Sequence, residues 1–209
     1  AARTNDPRAN LLAAIDDVLF GLALTPLLRA THPVRDLTIL GNRIHHNLLN
    51  PFDQAMRAAA QLVGRGGVSL AIVDSAVVSE NHIYENGPRA ADPVCGVFVG
   101  YGNDLELTDN VLAANGANTD DYERTRQAGI RGGFYIRFAG ALTSRSSTSS
   151  GRNPALRVHD NRVDQPAGRA LTAFAFGPVS CANNHFNSEL TGQFQILDTA
   201  IGGVFTINL

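Results

Sequence analysis

Acidic and cationic side chains recur at fixed distances from five asparagines. One residue before Asn81, Asn110 and Asn161 stand Glu80, Asp109 and Asp160, and one residue after Asn42, Asn81, Asn161 and Asn184 stand Arg43, His82, Arg162 and His185. Stacked carboxylates could bind Ca²⁺ or act as an acid/base pair at a glycosidic bond. Neighbouring columns of opposite sign also solvate and pair with each other on any repeated surface, and this ordinary reading is the stronger. His45-His46 would need a third ligand that the sequence does not place, so a solvated turn is favoured over a metal. Asp120, Asp121 and Glu123 could ligate a cation, but D-D-Y-E lacks the spacing and the turn glycine of a calcium loop. No phosphate-binding glycine loop, nucleophile elbow or Cys-His pair occurs. No catalytic residue, metal or cofactor is assigned.

A second group is aromatic. Matching Gly133-Phe134 to Gly96-Val97 and Gly67-Val68 turns Phe134 and Ile136 inward and Tyr135 and Arg137 outward. Phe98, Tyr135, Arg137 and Phe174 then form an outer patch, where stacking rings and a guanidinium suit an acidic polysaccharide or a protein partner. The ordinary alternative is that flanking loops cover this apolar surface.

These groups converge only if the chain repeats, and its columns say that it does. Five residues before each asparagine stand Leu37, Ala76, Leu105, Leu156 and Val179. Three before stand Ile39, Val78, Leu107, Val158 and Cys181, and two after stand Ile44, Ile83, Leu112, Val163 and Phe186. The residues between them are mixed. Alternation of period two predicts half-buried strands, and a short polar asparagine marks a bend between them. A further strand precedes three of the units at one offset, at Val68/Leu70, Val97/Val99 and Leu171/Ala173. A single unit cannot bury its apolar face alone, so units must stack.

The motif N-x-I-x-x-N stands at Asn42/Ile44/Asn47, Asn81/Ile83/Asn86 and Asn110/Leu112/Asn115, and decays to Asn161/Val163/Pro166 and Asn184/Phe186/Glu189. It resembles the right-handed parallel β-helix repeat family, of pectate-lyase-like fold. That resemblance covers residues 34–209 and implies an internal ladder of Asn42, Asn81, Asn110, Asn161 and Asn184. It says little about activity, because the fold hosts lyases, hydrolases, epimerases, phage fibres and inert scaffolds. The stretches G-G-V-S-L, P-V-C-G-V-F-V, R-G-G-F-Y-I and H-D-N-R-V-D-Q-P-A-G-R-A-L are also similar to large bacterial β-helix-repeat proteins encoded near contractile injection systems.

The expected architecture is all-β: a right-handed parallel β-helix solenoid with an N-terminal capping helix and a short inserted helix. Asp6-Pro7 opens a helix over about 7–20, with Leu11, Leu12, Ile15, Val18 and Leu19 on one face. Residues 1–33 pack on the solenoid of 34–209. Insertions fall at about 50–66, where residues 51–65 make the second helix, and at 117–128 and 140–153, which flank a strand over Ile130 to Phe138. Long loops on a rigid scaffold are where function is placed.

At 209 residues the chain can bury a core without staples. Its net charge of −2 leaves no footprint for nucleic acid, and every Lys/Arg cation is arginine. Leu11 to Leu24 is interrupted by Asp16 and Asp17 and is no membrane span. Cys95 and Cys181 read as core thiols about 10 Å apart, too far to bridge. An alanine start and an apolar final strand point to a piece of a longer protein. The expected role is a non-catalytic structural or binding module of a larger assembly, recognising glycan or protein. A polysaccharide lyase or glycoside hydrolase is the enzymatic alternative, and an injection-system or phage-like fibre is the third.

Overall fold

The computed structural model describes residues 33–49, 65–88, 94–116, 131–140, 154–165, 168–176, 179–188, 194–198 and 205–207. The helix expected over 7–20 lies outside these residues, and so does all but Arg65 of the helix expected over 51–65. Arg65 and Gly66, expected to close the insertion at about 50–66, instead begin a strand, and Gly140, expected to open the one at 140–153, ends one.

Every element described is a strand, and every pairing is parallel. One set is β1 (Val34–Leu40), β3 (Arg65–Ser79), β5 (Val94–Thr108), β7 (Arg131–Gly140), β8 (Leu156–His159), β10 (Arg169–Phe176), β11 (Val179–Ala182), β13 (Phe194–Asp198) and β14 (Phe205–Ile207). The other set is β2 (Arg43–His45), β4 (His82–Tyr84), β6 (Val111–Ala113), β9 (Arg162–Gln165) and β12 (His185–Ser188), hydrogen-bonded in the order β12-β9-β6-β4-β2.

The apolar columns set the register. Leu37 pairs with Ala76, Ala76 with Leu105, Leu105 with Leu156, and Leu156 with Val179. The column of Ile39, Val78, Leu107, Val158 and Cys181 follows in step, and so does that of Ile44, Ile83, Leu112, Val163 and Phe186. Leu105 and Leu107 are each only 1% exposed. The two sheets enclose one core, to which both sets contribute.

The sharp bends sit on the residue before each ladder asparagine. Gly41, Glu80, Asp109, Asp160 and Asn183 all have φ between 55° and 68°. His46, Glu85 and Ala114 repeat this before Asn47, Asn86 and Asn115, and Asp36, Ser75 and Asp104 make a third row of bends. Left-handed backbone costs a residue with a Cβ, so surrounding structure must hold it. The sequence placed the bend on the asparagine, whereas the asparagine holds the bend made by its neighbour. The third row explains β3 and β5. Each is one bent strand, whose first half meets β7 in the case of β5 and whose second half meets β8.

The last glycine of each R-G-G and of V-C-G has a packing cause. A Cβ on Gly67 would come within 2.2 Å of Ile83 Cγ2, one on Gly96 within 2.6 Å of Leu112 Cδ2, and one on Gly133 within 2.5 Å of Val163 Cγ1. The small column therefore lets the first sheet close onto the side chains of the second.

Candidate functional site

The asparagines form a continuous side-chain ladder. Nδ2 of Asn42 donates to Oδ1 of Asn81 at 3.0 Å, and the same 3.0 Å bond links Asn81 to Asn110, Asn110 to Asn161 and Asn161 to Asn184. The backbone N–H of each donor residue reaches the same oxygen at 3.0–3.1 Å. Nδ2 of Asn110 also donates to the carbonyls of Thr108, two residues back, and Val78, in the preceding repeat. A carboxamide suits this place because it carries donors and an acceptor on one planar group. The ladder is directional: every rung donates toward the C-terminal side.

A second ladder runs beside it. Asn47 Nδ2 donates to Asn86 Oδ1 and Asn86 Nδ2 to Asn115 Oδ1, both at 2.9 Å. The sequence pattern has this column lapse at Pro166. The structure corrects that, because Gln165 takes the rung: its Oε1 accepts from Asn115 N at 3.0 Å, and its Nε2 donates to Asn115 O at 3.3 Å. Gln165 stands one place earlier than the motif, and its extra methylene recovers the reach.

Outside the core, β5 and β8 build a polar cluster around His159. Its Nδ1 lies 2.9 Å from Asp160 Oδ2 and 3.1 Å from Thr108 Oγ1, and its Nε2 lies 3.5 Å from Glu106 Oε1. Thr108 donates its hydroxyl hydrogen to Asp109 Oδ2 at 2.8 Å. Its oxygen is then left to accept, which places a proton on His159 Nδ1. Arg157 Nη2 lies 3.0 Å from Asp104 and 3.1 Å from Glu106. Of the acidic column, Asp109 and Asp160 thus join the cluster. Thr108, His159, Glu106 and Arg157 were not singled out from sequence, although they occupy the outward places two and four before the asparagine. Glu80, Arg43, His82, Arg162 and His185 are exposed. His45 and His46 meet through their Nδ1 atoms at 2.8 Å; His46 Nε2 reaches Glu85 at 2.8 Å, and His45 stacks on Tyr84. Among the described residues, no three His, Cys, Asp or Glu side chains form a group that could hold a metal ion.

The aromatic residues come together differently from expectation. Phe98 stacks on Tyr135 with centroids 5.8 Å apart. Phe174 instead packs on Phe138, at 5.6 Å, and Phe138 stacks on Tyr101 at the same separation. A register shift explains this: Ala173 pairs with Ile136 but Ala175 with Ala139, so Arg137 and Phe138 together oppose Phe174. Phe98, Tyr135 and Phe174 are only 3%, 8% and 7% exposed, and Arg137 is half-buried. Cys95 packs against Phe98 and Tyr135 on this outer side, not in the main core with Cys181, and neither cysteine is in a disulfide. Asp120, Asp121 and Glu123 lie outside the described residues. Among the described residues, no helix is long and apolar enough to cross a membrane.

No protein-family model, curated protein or solved structure matches this chain.

Proposed function

We propose that the chain is a right-handed parallel β-helix solenoid acting as a non-catalytic structural or binding module of a larger assembly. The observation that carries this reading is the pair of side-by-side carboxamide ladders, which give successive repeats a common axis. Parallel strands joined within one sheet take right-handed crossovers almost without exception, which supplies the hand. The inward polar groups hold repeats together, and outward side chains such as Arg157 and His46 engage neighbouring carboxylates. A rod of this kind presents a long, regular outer surface, suited to a polysaccharide or to another protein of the assembly. The test is incubation with acidic and neutral polysaccharides, following unsaturated products and new reducing ends, alongside a glycan array. Binding or inertness without turnover is expected, and turnover would overturn the non-catalytic reading.

One observation favours a carbohydrate-active enzyme as the second reading: the Thr108 hydroxyl, His159, Asp109 and Asp160 are joined by hydrogen bonds on one outward face. Turnover abolished by His159→Asn, in a variant of unchanged stability, would establish it.

A further inference from the structure

Asn-Gly occurs twice in the chain, at Asn86-Gly87 and Asn115-Gly116. In this dipeptide the asparagine is most readily attacked by its own backbone, because no side chain obstructs the following nitrogen. Both copies stand on inner rungs of the second ladder, and the fold has a reason to keep them. Gly87 and Gly116 have φ of 62° and 66°, a left-handed turn that glycine takes without strain. The same turn after Asn47, on the outer rung, is made by Leu48 at φ 56°. A leucine there carries a backbone cost that a glycine would not. The labile pair is thus present where the rung is buried and absent where it is open: Asn86 and Asn115 are 0% exposed, and Asn47 faces solvent.

The closed ladder withholds each requirement of that attack. Ring closure needs the glycine N–H to lose its proton and the asparagine carboxamide to turn toward the nitrogen. Gly87 N–H donates to Asn47 O at 2.8 Å, and Gly116 N–H to Asn86 O at 2.7 Å. Turning the Asn86 carboxamide would break its bonds on both atoms. Its Oδ1 accepts from Asn47 N at 3.1 Å and Nδ2 at 2.9 Å, and its Nδ2 donates to Ile44 O at 3.0 Å and Asn115 Oδ1 at 2.9 Å. The Asn115 carboxamide is held by Asn86 N and Nδ2 at its Oδ1 and by Ile83 O at its Nδ2. We infer that Asn86-Gly87 and Asn115-Gly116 are latent self-modification sites, silent in the closed stack and converted to aspartyl or isoaspartyl residues when their repeats open. On opening, hydroxide takes the glycine N–H proton, the nitrogen bonds to the asparagine Cγ, and the Cγ–Nδ2 bond breaks. The leaving nitrogen takes a proton from water, giving ammonia and restoring hydroxide. Water then adds to one carbonyl of the five-membered imide and cleaves its bond to the ring nitrogen. The sum is amide plus water giving acid plus ammonia, with no oxidation or reduction. An acid at position 86 sets oxygen against Ile44 O and Asn115 Oδ1, where the lost amide donated, so the repeat cannot close as before. Opening of an inner repeat thereby becomes irreversible.

The test is peptide mapping of the full chain, with mass and isoaspartyl detection, after incubation in mildly alkaline buffer with and without urea. In urea both pairs are expected to convert faster than the chain's other asparagines. In buffer alone they are expected to convert about a hundredfold more slowly or less, because reaction waits on opening. Leu48→Gly places the same dipeptide on the exposed outer rung and keeps the left-handed turn. In that folded variant Asn47 is expected to convert at least about tenfold faster than Asn86 or Asn115 in the same molecule. Asn86→Asp, which builds the product directly, is expected to lower the urea midpoint or prevent folding. Equal rates in buffer and urea at 86 and 115 overturn the inference, as does the absence of conversion in urea. Conversion at 47 no faster than at 86 and 115 assigns the protection to the turn and not to the closed ladder, and overturns it too. An unchanged midpoint in Asn86→Asp overturns the irreversible step.

Discussion

A buried asparagine that donates three ways and accepts twice is hard to replace. Asn110 is fully buried and ties its own repeat to both neighbours, through Asn81 and Val78 on one side and Asn161 on the other. Asn110→Ala would take the acceptor from the Asn81 backbone N–H and a side-chain donor from the Val78 and Thr108 carbonyls, at a cost of roughly 3 kcal/mol or more in urea unfolding. Asn110→Asp is the sharper test. It keeps the acceptor for Asn81 but sets a carboxylate oxygen against Asn161 Oδ1, Val78 O and Thr108 O, so it should be at least as damaging despite equal size. Gln165→Asn should cost about 1–2 kcal/mol, because the shorter chain forfeits the bonds to Asn115. The asparagines were legible in the sequence because the rungs of the first ladder keep one offset from their apolar partners. Gln165 was not, because both residue type and position changed together while the chemical group stayed the same.

Strands were legible because a half-buried strand must alternate, and the pairings fall on the columns read from sequence. What alternation does not carry is the shape between columns. The shift opposite Phe174 brings in Phe138 and moves Phe174 off Tyr135, and no local pattern marks an extra residue in one strand of a parallel pair. Phe98 and Tyr135 are buried on the outward side, so period-two logic assigns their direction but not their burial. The glycine column is a packing demand that the sequence showed only as a motif. Gly96→Ala should destabilise by about 1–3 kcal/mol, relieved in part by Leu112→Ala, whose removed Cδ2 is the atom in the way. Cys181 adds a pH test. Burial pushes its thiol up, and the Asn184 amide at 3.4 Å draws it part of the way back. The fold therefore holds this proton more tightly than the unfolded chain does. Its contribution is complete below the unfolded thiol's pKa and is lost as pH rises through the raised one. Urea midpoints should fall as pH rises above the unfolded thiol's pKa of about 8.5, and fall less in Cys181→Ala.

At the scale of the molecule, the ladders make stability a property of position along the row of repeats. An inner rung has a neighbour on both sides; an outer rung has one. Asn81, Asn86, Asn110 and Asn115 are all fully buried, whereas Asn42 and Asn47 are exposed and Asn184 is only half-buried. A stack of units bound mainly to nearest neighbours opens from its ends, so local opening should follow this burial. Hydrogen exchange should be slowest at β4 and β6 and quicken toward β2 on one side and β12 on the other. Alanine at the ladder should follow the same profile, with Asn110 costly and Asn42 cheaper by about 2 kcal/mol, because Asn42 leaves fewer buried groups unpaired. The profile also discriminates between architectures. A globular packing of the same strands would open as one cooperative unit, with flat exchange and alanine costs set by burial alone. If β2 amides exchange as slowly as β6 amides, the repeats do not behave as a stack, and the ladder loses its place as the axis of the molecule.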